Sequence, residues 1–256
     1  MIRALPALAA LAVLAVAALA PAGCASRPES AAAAVTVDAP LLVTGREFPA
    51  EGSIAADEAF PLGLAEIEWL AAPAPATRRS EAKAVRVTTS ASTDHGGAIA
   101  REIPGESTEF LSAGPEGVDL HAVLSPGDAA LSRFATPLRL LPSSLAAGAE
   151  HRSSAAMEVV DSSNLRRRKD RGTGERVARY ARDVEVTVGG RTYRAQVLES
   201  SFTALLGSAK ATRTTELLVV PGLGPVAERW TREVVVLGLV RTVREGVRVR
   251  DLDPGP

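Results

Sequence analysis

On both sides of Gly189-Gly190, apolar residues alternate with charged and hydroxyl-bearing ones. Side chains of a β-strand point to opposite faces in turn, so this period of two predicts a pair of strands. Two consecutive glycines supply the positive φ angles of a type I′ turn, whose twist matches that of the strands it joins. Pairing across the turn sets Val188 opposite Arg191, Val186 opposite Tyr193, Val184 opposite Ala195 and Arg182 opposite Val197. Tyr180, Val184, Val186, Tyr193, Ala195 and Val197 then make one mostly apolar face. Glu185, Thr187, Thr192, Arg194 and Gln196 make the other. Such alternation predicts an antiparallel sheet with one buried and one wet face.

Shorter runs of the same kind follow from residue 35 onward: VTVDAPLLVT from Val35, AEIEWL from Ala65, KAVRVTTS from Lys83, VDLHAVL from Val118 and AAMEVVD from Ala155. Glycine, proline, serine or aspartate bounds each of them, which is strand punctuation. The run 65–72 fits two turns of helix equally well, because short apolar runs are ambiguous. TRTTELLVV from Thr212 reads as a further strand, stopped by Pro221-Gly222-Leu223-Gly224-Pro225. The valine-rich end, 226–252, breaks at Glu245-Gly246, which reads as a turn. The expected fold class is mainly β: a curved antiparallel sheet, either half-barrel or open barrel, with few short helices. One domain spans 35–256, and within it 35–115 has no assigned arrangement.

The N-terminal segment is of a different kind. Arg3 precedes an uncharged apolar run over 4–20, then Pro21-Ala22-Gly23 and Cys24, the only cysteine of the chain. A basic start, an apolar stretch and small residues before a cut site mark a secretory signal. With the cysteine directly behind the small residues, the segment resembles a bacterial lipoprotein signal. That resemblance implies removal of 1–23 and acylation of Cys24 by palmitate-like chains, with 24–34 (CASRPESAAAA) as a flexible tether. It also implies a cell-envelope protein facing the periplasm, held at the membrane through its lipid. No aspartate follows Cys24, which in diderm lipoproteins favours the outer membrane over the inner. A plain signal peptide, giving a periplasmic or secreted protein, is the alternative. An uncleaved span is the weakest reading, because about 20 apolar residues are wanted.

The C-terminal half resembles uncharacterised bacterial envelope proteins with a LolA/LolB-like β half-barrel. The pieces that carry this likeness are Pro137-Leu138-Arg139-Leu140-Leu141-Pro142 with Gly148, the Gly189-Gly190 hairpin, and the segment from Thr214 to Val226. It implies a curved sheet and transfers no catalytic residue.

Composition excludes more than it names. The 29 basic and 30 acidic residues nearly cancel, so there is no bulk field to recruit nucleic acid. His95, His121 and His151 lack the close spacing of a metal motif, and no metal or cofactor site is expected. Asp94-His95 beside Gly96-Gly97 reads as a polar turn rather than a base. Ser80-Glu81-Ala82-Lys83 fits S-x-x-K, but the companion boxes of that serine enzyme class are missing. Gly222-x-Gly224 lacks the lysine and third glycine of a phosphate loop. Residues 166–171, Arg-Arg-Arg-Lys-Asp-Arg, read as a solvated loop between strands or as a contact for anionic lipid headgroups. Trp69 and Trp230 read as core anchors.

The functional expectation is a non-enzymatic envelope lipoprotein with a structural, assembly or binding role, and Cys24 as its one site residue. A carrier or sensor of lipid or lipoprotein acyl chains in a concave sheet is the second reading, and an unrecognised periplasmic hydrolase the third. Expected partners are the membrane, a lipid or another envelope protein, with no nucleic acid.

Overall fold

The computed structural model describes residues 41–63, 66–73, 78 and 81–252. The signal segment, the tether with Cys24, and Ser80 lie outside the described residues. The strands in chain order are β1 (Val43–Pro49), β2 (Ser53–Ala55), β3 (Glu66–Pro73), β4 (Lys83–Ala91), β5 (Ile99–Ile103), β6 (Ser107–Gly114), β7 (Gly117–Ser125) and β8 (Ala130–Pro142). They continue with β9 (Ser144–Ala146), β10 (Glu150–Asp161), β11 (Asn164–Val188), β12 (Arg191–Leu206), β13 (Ala209–Val220), β14 (Gly224–Val236) and β15 (Val240–Arg250). One helical turn, α1 (Ala56–Ala59), follows β2.

Twelve strands form a ring in which every neighbour is antiparallel, in the order β3-β4-β5-β6-β7-β8-β10-β11-β12-β13-β14-β15, with β15 pairing back onto β3. The sheet is antiparallel and curved as expected, and it goes further than a half-barrel by closing. Closure removes the two free edges of an open sheet, and unpaired strand edge among the described residues of the ring is left where strands overhang, as at 164–171 of β11 and 240–245 of β15. The segment without an assigned arrangement supplies β1 to β6. The run 65–72, ambiguous in sequence, is strand β3 over its described residues.

Strand β11 makes closure possible through its length of 25 residues. One edge pairs first with β10 and then, beyond Tyr180, with β1; the other edge pairs with β12. The hairpin register is the one read from sequence: Val188↔Arg191, Val186↔Tyr193, Val184↔Ala195 and Arg182↔Val197. Val184, Val186, Ala195 and Val197 are buried together, with Tyr193 packed against them. Tyr180 departs from that face. Leu198 pairs with Tyr180 and Val197 with Arg182, leaving residue 181 as a bulge. A bulge shifts the side-chain alternation by one. Tyr180 therefore joins Leu198 and Leu138 inside the ring, while the valines face outward beneath Leu41.

Two more sequence readings are corrected. Glu245-Gly246 is not a turn: β15 runs through it, and the reversal lies at Leu237-Gly238, both with positive φ. Gly246 serves instead as a seat for the Trp230 indole, since a Cβ there would lie 2.6 Å from Trp230 Cζ2. The basic run 166–171 is strand, not loop. It extends β11 past the end of β12 and pairs with β10.

One end of the ring is capped. The β2–β9 pair and α1 fold over it, with Ile54, Ala56, Ala59 and Phe60 buried against Leu120, Leu138 and Leu198. Tyr180 Oη and the Glu51 carbonyl are 2.9 Å apart, and Gln196 Nε2 donates to the Ser53 carbonyl at 3.1 Å, fixing the cap to the wall. Burial and the adjacent Asp183 carboxylate push the Tyr180 phenol up to about 12.

Candidate functional site: the barrel lumen

A cavity of about 430 Å³ lies inside the ring, lined by residues from all twelve of its strands. Its origin is visible in the register. Ala155, Gly174, Ala204, Ala211 and Val234 are successive cross-strand partners on β10, β11, β12, β13 and β14. Residues paired in this way share a face. Four of these five carry at most a methyl group, so the wall here lacks the side chains that would fill a barrel interior. The Phe134 and Phe202 rings lie edge to face at 6.2 Å over Gly174, where a Cβ would be 2.9 Å from Phe134 Cε1.

The next row toward the cap is charged. Arg176 pairs with Phe202, and Phe202 with Arg213. Arg213 donates to Glu106 at 2.7 Å and to Glu228 at 3.1 Å, and its guanidinium lies 5.1 Å from the Trp230 ring centroid. Arg248, 7% exposed in its side chain, donates to Glu228 at 2.6 Å. Arg101 Nε donates to Glu109 at 2.9 Å across β5–β6. Burial pushes the Glu228 and Glu109 carboxyls up, but Arg248 and Arg101 respectively, with the other guanidiniums, outweigh it and hold both below their usual range. For Arg213, burial pulls downward and is outweighed by Glu228 and Glu106.

Arg176 differs. Its one hydrogen bond among the described residues runs from Nε to the Leu140 carbonyl at 3.1 Å, and among those residues it has no carboxylate ion pair. Burial pulls its guanidinium down to about 10. Lining the lumen are thus four guanidiniums (Arg101, Arg176, Arg213 and Arg248) facing three carboxylates (Glu106, Glu109 and Glu228). At the end away from the cap stands one further matched pair, Arg232 and Asp128, 3.4 Å apart. The cluster can hold an anion and supply hydrogen-bond donors to it.

The residues singled out in sequence lie elsewhere. Asp94 and His95 sit on an exposed 3₁₀ turn outside the lumen, His95 with φ 54° and its ring edge-on to Phe110. Lys83 is exposed at the start of β4. His121 is partnered by Ser112, whose Oγ lies 2.8 Å from Nε2, a pair brought together by the β6–β7 hairpin. Trp69 is buried on the lumen wall, and Trp230 is half-buried against Arg213. No group of three or more metal-ligating side chains is present among the described residues. A larger groove of about 810 Å³ on the outer surface is flanked by Glu150, Arg179, Glu199, Glu216 and Arg229. Leu41 and Leu42 border it.

Sequence reading missed the whole lumen cluster. Its signal was a charge placed within an otherwise apolar alternation: Arg213 shares its face of β13 with Ala211, Leu217 and Val219, as Arg176 shares its face with Ala178 and Tyr180. No family profile matches the chain, and no curated protein and no solved structure matches it.

Proposed function

We propose that the protein is a non-enzymatic lipoprotein of the bacterial cell envelope, anchored through Cys24, that binds a lipid or acyl chain in its barrel. The observation that carries this reading is the lumen, a void inside a closed ring whose wall combines alanine, leucine and phenylalanine side chains with a cluster of arginines and glutamates. Its volume lies within the range of about 300–1,000 Å³ common to small-molecule sites. The single turn of α1 caps one end without filling the interior.

The opposite end supports a membrane-facing orientation. Among the described residues, Leu165, Leu205, Leu237, Leu239, Val240 and Val243 account for six of the seven exposed large hydrophobics, and all lie toward that end. The exposed residues Arg166, Arg167, Arg168, Lys169 and Arg171 project beside them. Each basic side chain near an anionic membrane contributes roughly 1 kcal/mol. The outer wall itself carries ion pairs, such as Arg86–Glu68 and Arg182–Glu199, where a membrane-spanning barrel would carry an apolar band.

Extraction and mass spectrometry of protein purified from membranes tests the reading. Lipid in the barrel, and loss of binding of an apolar fluorescent probe in Ala211→Phe, are expected. A folded wild-type protein that carries no lipid and binds no such probe would sink it. For the anchor, Cys24→Ser is expected to lose fatty acid and detergent partitioning; unchanged partitioning with no fatty acid on either form would exclude lipidation.

A further inference from the structure

We infer that the lumen is selective for an amphiphile with one anionic head group, and that Arg176 is the residue that neutralises it. This rests on the lumen reading above and adds the chemical class of the ligand. A guanidinium presents five N–H donors in a planar fork suited to carboxylate or phosphate oxygens. In Arg101, Arg213 and Arg248 that capacity is directed to Glu106, Glu109 and Glu228. In Arg176 the fork is directed to no acidic group among the described residues, and Nε alone is used, on the Leu140 carbonyl.

Arg176 is half-buried with its guanidinium on the lumen wall, and a charge drawn out of bulk water is ordinarily paired. Four arginines against three glutamates leave one positive charge unmatched on the lumen wall. An oxyanion entering beside Arg176 would bring the cluster to neutrality. The donor excess extends to Arg248, whose buried Nε also lacks an acceptor.

The place of Arg176 on the wall specifies the rest of the ligand. Along β11 its lumen neighbour on one side is Gly174, in the row of small residues. Across the strand pair it lies against Phe202. A head group at Arg176 therefore has the small-residue wall of Ala204 and Ala211 nearby, flanked by Phe134, Phe202 and Met157. The side chains of that wall are uncharged and suit an alkyl chain, with the matched Arg232–Asp128 pair toward the far end of the lumen. The shared chemistry is a singly charged oxyanion on an apolar tail, available as a fatty acid or as an acidic phospholipid or lysophospholipid.

Displacement of an apolar fluorescent probe from the delipidated full-length protein separates the possibilities. Palmitate and lysophosphatidylglycerol, each with a single negative charge, form the two anionic arms; hexadecanol, methyl palmitate and monoacylglycerol are the neutral counterparts. Wild type is expected to bind at least one anionic ligand about ten-fold or more tighter than its neutral counterpart, the factor that about 1.4 kcal/mol represents. The arm showing the larger preference names the source. Arg176→Met is expected to lose that preference while keeping its affinity for hexadecanol. Arg176→Lys, which keeps the charge, is expected to retain part of the preference. Equal affinity of wild type for acid and alcohol would overturn the inference, as would a preference that survives in Arg176→Met. If Arg176→Met does not fold, the wild-type comparison and Arg176→Lys still decide. Failure of every ligand, neutral ones included, would instead refute the lumen reading itself.

Discussion

Val186→Asp is the sharpest test of the hairpin and of the bulge that sets its faces. Val186 is fully buried, among Val184, Val188, Ala195 and Val197. Burial of a valine side chain contributes about 1.5–3 kcal/mol, and the substitution forfeits it. An aspartate in that setting remains protonated in the folded state. Holding it neutral at pH 7 against an unfolded pKa of about 3.9 costs about 4 kcal/mol, at roughly 1.4 kcal/mol per unit. Together these approach about 6 kcal/mol, against a typical total stability of about 5–15 kcal/mol. A melting temperature lower by about 12–24 °C, or failure to fold, is expected for a chain of this size.

Thr187→Asp is the matched control, one residue along and on the other face. It loses the contact between Thr187 Oγ1 and Thr192 Oγ1 at 2.9 Å, worth about 1 kcal/mol, and a fall of a few degrees is expected. The pH dependence adds a second check. Because burial raises the folded-state pKa of the introduced carboxyl, folded protein retains the proton that unfolded protein releases. The penalty is therefore absent below about pH 4 and grows as pH rises. The gap between the Val186→Asp and wild-type melting temperatures should be wider at about pH 8 than at about pH 5. Equal melting temperatures for the two variants would show the face assignment to be wrong.

Three further outcomes follow from the lumen and its surroundings. Glu228→Gln strips a partner from Arg213 and Arg248 and should cost about 3 kcal/mol in chemical denaturation, whereas Glu66→Gln on the outer wall, beside Arg86, should cost under about 1 kcal/mol; similar losses would contradict the burial of the cluster. Gly246→Val should destabilise the protein and shift Trp230 fluorescence, because its Cβ would meet the indole at 2.6 Å; an unchanged spectrum and melting curve would remove the glycine's assigned role. His151 is held below its usual pKa by burial and by Arg139 and Arg176, so its contribution is present above about pH 6.5 and lost as pH falls below it; His151→Gln should flatten the melting-temperature profile there, and an unaltered acid limb would refute the assignment.

Local chemistry was legible in the sequence wherever a period or a turn residue fixed it. Gly189-Gly190 set a register that the strands on either side could keep, because each had one apolar face to bury. The same logic failed at Tyr180, where an extra residue changes which face is which. Nothing in the run Tyr180-Ala181-Arg182 distinguishes a bulge from a regular strand. Its cause lies outside the hairpin, at the place where the β11 edge passes from β10 to β1. Glu245-Gly246 failed for a related reason. Glycine signals both reversals and close approaches, and only the Trp230 ring on the neighbouring strand tells them apart.

The candidate site was hidden because a lumen belongs to the ring and not to any strand. Arg176, Arg213 and Arg248 look in sequence like the arginines of the outer wall, and 26 arginines in a nearly neutral chain make each one ordinary by count. Closure changes their meaning. Once β15 returns to the free edge of β3, alternation becomes a division between inside and outside, and a charge on the inside must find a partner there. Three of the four arginines do so through Glu106, Glu109 and Glu228, which come from the β5–β6 turn, β6 and β14. Such distant positions could not have been paired by spacing alone. The fourth, Arg176, stands near a stretch of lumen wall whose side chains are small, those of Ala204 and Ala211. Small residues and an unmatched charge are each ordinary in sequence. Only on a shared face do they define a place where an anionic head and an apolar tail both have somewhere to go.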